Sequence, residues 1–249
     1  MPSQLAVLAS GRGSNLQAII EHFDNLARER VAKVVLVASN RADSPALIRA
    51  ATASIDIASF DAADDGTQLL ELLRKFRVDL VVLAGYLKRI PSPVIREYAG
   101  RMINIHPALL PAFGGEGMYG ARVHEAVIAS GARESGVTVH LVDDEYDRGP
   151  IVAQWRVPVD PSDTPESLAA RVLAVEHVVY PRVIEIVAIL QHIEAKISVC
   201  YANRIALRLR QDRYRRFRQI TGGPRLGPDF HGWYRHGSSF GRRQSARRQ

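Results

Sequence analysis

The sequence has little cysteine and no long apolar segment. Its 249 residues contain one cysteine, Cys200, which excludes an intramolecular disulfide and a zinc site built from several thiolates. No apolar run approaches the roughly 20 residues of a membrane helix, and the first residues lack the basic stretch of a secretory signal. We therefore expect a protein of the reducing cytoplasm with no membrane segment.

The positive charge of the chain belongs to one end of it. The formal net charge is +7, but residues 196–249 carry one Lys and thirteen Arg against two Asp, a local charge of +12. Residues 1–195 therefore carry −5, so nucleic-acid binding is predicted only through the tail. The tail also has aromatic residues able to stack on bases, namely Tyr214, Phe217, Trp233 and Tyr234. The alternative, which we favour, is a poorly ordered extension, because no known RNA-binding motif is present.

Short apolar runs alternate with amphipathic stretches over the first 160 residues. Runs of strand length lie at Leu5–Ala9, Val34–Ala38, Ile55–Phe60 and Leu80–Ala84, and most lack the polar alternation of a half-exposed strand. Helical patterns between them place on one face Leu16, Ile19, Ile20 and Phe23, and later Leu69, Leu72, Leu73 and Phe76. This order predicts an α/β domain over residues 1–195, with an open, mostly parallel twisted sheet and helices on both faces.

Further elements follow this alternation. Strands are predicted at Gly136–Val142 and Ile151–Val159. Thr164 is a candidate N-cap for a long helix that begins with Pro165 and Glu166. Pro181 lies inside this helical pattern and is predicted to kink or divide the helix.

The segment SGRGSN, Ser10–Asn15, follows the first predicted strand and opens the first helix. Glycines let the backbone approach a ligand, and a helix start offers free N–H groups, so we expect a phosphate on Gly13, Ser14 and Asn15. The alternative is a tight turn with a Ser or Asn cap. The segment is neither a dinucleotide fingerprint nor a P-loop, because the third Gly and the Gly-Lys-Ser/Thr are missing.

Two further segments carry candidate catalytic side chains. In NIHPALLPAF, Asn104 and His106 are two residues apart at a strand end and project to the same side, although a lone His there is also commonly structural. In VDDEYDRGP, the side chains of Asp143, Asp144 and Glu145 are expected to face water. Asp147 is the candidate that turns inward and raises the pKa of His106, the alternative being plain solvation. The loop lacks the ligand pattern of a calcium hand.

Together these segments resemble the glycinamide ribonucleotide formyltransferase family of purine synthesis. The resemblance covers about residues 4–190 and rests, in order, on SGRGSNLQAII, AGYLKRI, NIHPALLPAF, VHLVDDEYDRGPI and ARVLAVEHVVYP. It implies a Rossmann-like formyltransferase fold. It also implies transfer of the formyl group of 10-formyltetrahydrofolate to the amine of glycinamide ribonucleotide in de novo purine (IMP) biosynthesis, with no metal.

The resemblance further implies roles for individual residues. Asn104, His106 and Asp147 would form the catalytic group. Gly13, Ser14 and Asn15 would hold the acceptor's phosphate, and Glu176 would lie near its ribose, where an exposed helical charge is the alternative. The folate pocket would comprise Leu87, Lys88, Arg89, Ile90, Asn104, Asp143, Asp144, Glu145, Tyr146 and Asp147. The chain departs from many members in its GGEGMYG loop after Phe113 and at Asp64, near which they carry a basic residue.

Three other functions compete with this one. A formyl-folate hydrolase would share Asn104, His106 and Asp147, but such enzymes usually carry a regulatory domain before the catalytic one, and here the first predicted strand begins by residue 5. A methionyl-tRNA formyltransferase would need a folded RNA-binding domain in place of the arginine-rich tail. An RNA-binding protein would use the tail, with the α/β body as its scaffold. The sequence leaves the oligomeric state open, a homodimer included.

Overall fold

One mixed sheet forms the centre of the computed structural model, which describes residues 1–197. The strands in this part are β1 (Ser3–Leu8), β2 (Ala32–Ser39), β3 (Asp56–Ser59), β4 (Leu80–Leu83), β5 (Met102–His106), β6 (Glu134–Leu141) and β7 (Ile151–Pro158). Their order across the sheet is β3-β2-β1-β4-β5-β6-β7. The pairings from β3 to β5 are parallel, whereas β6 pairs antiparallel with both β5 and β7.

Helices cover both faces of this sheet. They are α1 (Ser14–Asn25), α2 (Pro45–Thr52), α3 (Thr67–Lys75), α4 (Ser92–Glu97), α5 (Ala121–Ala129) and α6 (Pro165–Ile197), with a 3-10 turn at Ala27–Glu29. Helices α1, α2, α5 and α6 contribute to the hydrophobic core on one face, and α3 and α4 to the core on the other. Successive residues of β1 alternate between these two cores, Val7 facing the first and Leu8 the second.

The chain reverses its direction of travel across the sheet at β1. This strand has β2 on one side and β4 on the other, so the segment after β1 leads toward one edge of the sheet and the segment after β4 toward the other. Ser10 N–H bonds to Gly85 O where the segments after β1 and β4 meet. Such a switch point forms a crevice at the carboxyl ends of the strands, where open α/β sheets bind their ligands.

The mostly parallel sheet with helices on both faces confirms the predicted fold class. Strand-length apolar runs bounded by helical patterns are strong local signals, which is why the prediction succeeded. Thr164 caps α6 as expected, its Oγ1 accepting the Ser167 N–H at 3.3 Å. Pro181 was expected to kink or divide the helix, and division is wrong, since α6 runs through it without interruption; the kink stays a prediction. Pro181 is buried between core residues Tyr180 and Val183, and this packing offsets the missing backbone hydrogen bond.

None of the helices in residues 1–197 is long and apolar enough to cross a membrane. The expectations for the basic tail fall almost wholly on residues 198–249, which lie outside the described part of the chain.

Candidate active site

A cleft of about 1080 Å³ lies at the switch point of the sheet. Its walls include Arg12 and Asn15 after β1, the segment 85–90 after β4, and Asn104–Pro107 at the end of β5. The acidic loop 143–147 and one side of α6 complete it. Side chains far apart in the sequence therefore meet in one cavity, at the place where ligand binding is expected.

Asn104 lies in the wall of the cleft because of the alternation of β5. Its neighbours Ile103 and Ile105 pack into the core formed with α1, α5 and α6, which turns Asn104 and His106 to the other face. Asn104 pairs with His140 of β6 in the antiparallel ladder. The Asn104 Nδ2 and His140 Nε2 atoms are 3.0 Å apart, so the amide is held in one orientation.

Asp147 turns into the cleft, as the sequence predicts. Its backbone has a φ of 55°, an uncommon conformation for a non-glycine residue, and its side chain is 11% exposed. The Gly115 N–H donates to Oδ2 at 3.0 Å, and the same oxygen lies 3.5 Å from His106 Nδ1. Burial alone would raise the pKa of Asp147, but its contacts with His140, His106 and Gly115 act more strongly together and lower it. Asp147 is therefore a carboxylate at neutral pH.

His106 is buried between two acceptors. Its Nε2 donates to the Phe113 carbonyl oxygen at 2.7 Å, and its Nδ1 faces Asp147. Burial lowers the pKa of His106 and outweighs the raising effect of Asp147 and of the Phe113 carbonyl. The expectation of a raised pKa is thus wrong in its net direction. The neutral ring is favoured, with its proton on Nε2.

His140 belongs to this group and was missed by the sequence reasoning. Its Nδ1 donates to Leu141 O at 2.8 Å, so Nε2 accepts the amide proton of Asn104 and lies 3.4 Å from Asp147 Oδ1. The available signal was a histidine inside an apolar strand immediately before the acidic loop. Within residues 1–197, no group of three or more His, Cys, Asp or Glu side chains is arranged to hold a metal ion.

The predicted folate end of the cleft joins two separate segments. Every residue predicted for that pocket lines the cleft. Arg89 donates to the Asp144 carbonyl oxygen at 2.7 Å, and Ser92 Oγ donates to Asp144 Oδ1 at 2.6 Å, so the acidic loop is tied to the segment after β4. Asp144 and Glu145 are exposed as expected, but Asp143 is half-buried, and burial raises its pKa.

Asp64 lies outside the residues that line the cleft. Its Oδ2 accepts the N–H groups of Gly66 and Gln68, both at 3.0 Å, at the start of α3. This carboxylate satisfies backbone donors at a helix start, which explains an acidic residue there without any contact with folate.

A further part of the cleft wall is formed by residues of α1 and α6. Asn15 Nδ2 donates to Glu176 Oε2 at 2.7 Å, and both residues line the cleft. Glu176 is 6% exposed, so the alternative of an exposed helical charge is wrong. Burial raises the pKa of Glu176 to about 7, despite the opposing hydrogen bond from Asn15. This carboxyl group changes charge near neutral pH.

Gly13 and Ser14 are not among the residues that line the cleft. Gly13 is buried with a φ of 72°, and a Cβ there would lie 2.9 Å from Ala46 Cα of α2. The requirement for glycine therefore comes from backbone conformation and from packing against α2. The phosphate role predicted for Gly13 and Ser14 stays a prediction, to be met through backbone N–H groups alone.

Known proteins share both the sequence and the fold of this chain. Residues 3–184 match the family described as Formyl transferase. A chloroplastic phosphoribosylglycinamide formyltransferase of Vigna unguiculata is 47% identical over 188 residues, covering 73% of this chain and 60% of the relative. The Haemophilus influenzae phosphoribosylglycinamide formyltransferase is 39% identical over 190 residues, covering 73% of this chain and 85% of the relative.

A solved structure agrees with these relatives. The phosphoribosylglycinamide formyltransferase of Anaplasma phagocytophilum superposes with a TM-score of 0.69 at 36% identity, over 76% of this chain and 88% of that protein. The chain spans less than two thirds of the two plant relatives, 60% of the Vigna unguiculata protein and 64% of the Arabidopsis thaliana one. The family match covers most of the chain and all the strands that build the cleft, and on this evidence the chain belongs to the formyl transferase family.

Proposed function

We propose that this protein transfers the formyl group of 10-formyltetrahydrofolate to the amine of glycinamide ribonucleotide, a step of de novo purine biosynthesis. The observation that carries the proposal is the meeting of Asn104, His106 and Asp147 in one cleft. The predicted folate segments line the same cleft, and so does the hydrogen-bonded Asn15–Glu176 pair. The names of the relatives support formyl transfer to the same acceptor.

Asn104 is assigned to the carbonyl oxygen of the formyl group. As the amine attacks the formyl carbon, negative charge develops on this oxygen, and a fixed donor stabilises it. One N–H of the Asn104 amide is directed to His140 Nε2, and the other remains for the substrate. The restraint by His140 means that the amide does not have to reorient during the reaction.

His106 and Asp147 are assigned the role of accepting the proton that the amine loses. Neutral His106 presents Nδ1 toward the Asp147 carboxylate, so the pair can share one additional proton. The bond between the formyl carbon and N10 of the folate breaks as the new C–N bond forms. N10 gains one proton as the amine loses one, so the pair returns to its starting state. The proposed mechanism assigns no step to a metal, and a chelator is expected to leave turnover unchanged.

The test is an assay of the purified protein with 10-formyltetrahydrofolate and glycinamide ribonucleotide. Parallel reactions replace the acceptor with water alone or with initiator methionyl-tRNA. Formylated ribonucleotide is the expected product. Formate release without an acceptor would support the hydrolase instead, and formyl-methionyl-tRNA would support the tRNA enzyme.

The basic tail is assigned no part in this reaction. We propose that residues 1–195 form the catalytic unit and that the arginine-rich residues 196–249 are an extension, since the residues predicted for the site all precede Pro181. Removal of residues 196–249 is expected to shift the melting temperature and turnover little. A large loss of either would show that the tail packs on the body. A cytoplasmic location also remains a proposal, because the plant relatives are named chloroplastic.

A further inference from the structure

The cleft is rich in carboxyl groups for a site whose proposed substrates are anions. It is lined by Glu116, Asp143, Asp144, Glu145, Asp147, Glu166 and Glu176, against the cations Arg12, Lys88 and Arg89. A phosphate group entering it meets repulsion unless a cation lies close by. The location of these three cations therefore decides where an anionic group can bind.

Two of the cations belong to the predicted folate end. Lys88 and Arg89 lie in the segment after β4, and Arg89 is directed to the Asp144 carbonyl oxygen. Arg12 instead lies three residues before Asn15, whose side chain holds Glu176. We call the part of the cleft lined by Asn15 and Glu176 the acceptor end. Among the residues that line the cleft, Arg12 is thus the cation of the acceptor end.

The guanidinium of Arg12 is free to bind a ligand. It is exposed, and it makes no ion pair or hydrogen bond with any residue of the described chain. The other arginines around this turn are engaged, Arg41 with Asp43 and Arg49 with the Arg12 carbonyl oxygen and Gln17. An unpaired arginine in a cleft lined by carboxyl groups is well placed for a bidentate contact with phosphate.

The backbone that carries Arg12 is held firmly. Arg49 Nε donates to its carbonyl oxygen at 2.8 Å, Ser44 Oγ donates to Gly11 O at 3.3 Å, and Gly13 packs on Ala46. A side chain on a rigid base loses less freedom when it binds, so its contribution to affinity is larger. We infer that Arg12 supplies the positive charge for the acceptor's phosphate and makes the enzyme selective for phosphorylated amines, an inference that rests on the proposed function.

The first test measures phosphate binding without catalysis. Inorganic phosphate is expected to raise the melting temperature of the wild type but not of Arg12→Gln. Arg41→Gln is the matched control, because it removes the same charge from a nearby arginine that does not line the cleft. An Arg41→Gln protein that still responds to phosphate supports the inference. An Arg12→Gln protein that responds like the wild type overturns it, and so does a wild type that shows no response.

The second test compares two acceptors, glycinamide ribonucleotide and the riboside that lacks its phosphate. Arg12→Gln is expected to raise KM for the ribonucleotide about tenfold or more, with little change for the riboside, the folate or kcat. Arg12→Lys should restore part of the loss, because it keeps the charge but not the bidentate geometry. Equal losses on both acceptors overturn the inference. The two proposals can fail separately. If phosphate stabilises the wild type through Arg12 but the protein formylates neither acceptor, the proposed function is wrong and the phosphate site at Arg12 remains.

Discussion

Two carboxyl groups that line the cleft have pKa values shifted in opposite directions, although burial affects both. Asp147 and Glu176 are both largely buried, and burial raises the pKa of each as the largest single influence. Asp147 nevertheless has a lowered pKa, because two histidine rings and the Gly115 N–H surround it. Glu176 has only the Asn15 amide to oppose burial, and its pKa rises to about 7.

This difference separates a group with fixed charge from a group with variable charge. Asp147 remains ionised throughout the neutral range, as a partner for a transient imidazolium must. Glu176 changes its charge within that range, so binding at the acceptor end is expected to depend on pH. The groups that face a buried carboxyl, two histidine rings and a backbone N–H at Asp147 but one amide at Glu176, decide which of the two behaviours it has.

The largest effects on turnover are expected from substitutions of Asp147 and of His106, which faces it. His106→Ala and Asp147→Ala should each lower kcat by at least about 10²-fold, because both remove a site for the transferred proton. The double variant should be little worse than the worse single variant, since the two side chains act as one unit. Steady-state kinetics with both substrates measure these losses.

Asp144→Asn is the control for this experiment. Asp144 is exposed and belongs to the same loop, and an asparagine keeps the oxygen that accepts from Ser92. Turnover close to the wild-type value is expected. If Asp144 proves essential and Asp147 dispensable, the assignment of the loop carboxylates is wrong. Near-normal turnover of His106→Ala would exclude the proposed mechanism.

A smaller effect is expected at Glu176. Glu176→Gln should raise KM for the acceptor about tenfold and leave KM for the folate unchanged, because a charged hydrogen bond to the acceptor is lost. In the wild type, kcat/KM for the acceptor should rise with pH through about 7 as Glu176 ionises. The variant should lack this rise. A rise near pH 7 that persists in Glu176→Gln would assign the titration to another group.

The turn before α1 depends on close packing of Gly13 against α2, and a substitution there is expected to lower stability. Gly13→Ala places a Cβ 2.9 Å from Ala46 Cα, and Gly131→Ala at a similar φ of 69° meets no atom within 4 Å. The unfavourable conformation should cost about 1–2 kcal/mol in both, and overpacking should add about 1–3 kcal/mol at Gly13 alone. Denaturant unfolding measures the free energies of unfolding. Equal destabilisation would contradict the packing role of Gly13.

The smallest effect concerns stability against pH. The folded-state pKa of Glu176, about 7, exceeds its ordinary value of 4.5. Its contribution to stability is therefore complete below pH 4.5 and is lost as pH rises through about 7. Relative to the wild type, Glu176→Gln should gain melting temperature across this interval. A constant difference between the two proteins from acid to neutral pH would contradict the raised pKa.

The sequence predicted features that depend on local patterns. Apolar runs identified the strands, and the two-residue spacing of Asn104 and His106 placed both on one face. Tyr146 set Asp147 apart from its acidic neighbours. The features that were missed depend on contacts between distant segments. His140 meets Asn104 only through the β5–β6 register, and Gly13 meets Ala46 from 33 residues further along the chain.

Properties that result from opposing effects also could not be predicted from the sequence. The net shift in the pKa of His106 depends on how far burial exceeds the attraction of Asp147, and this needs the packed structure. Helix α6 continues through Pro181 because buried neighbours hold both sides in place, an effect that no local propensity contains. The half-buried position of Asp143 likewise follows from how the loop packs.

One contact of α6 links ligand occupancy to the opening of the sheet. Tyr180 lies one turn after Glu176 and donates its hydroxyl to Leu83 O at 2.8 Å, with Ile103 O at 3.2 Å, so the helix is anchored on both β4 and β5. A ligand that holds Glu176 also resists the local unfolding that would free Tyr180 from these strands. Amide hydrogens in the ends of β4 and β5 should consequently exchange more slowly when the acceptor is bound, although the acceptor need not touch either strand.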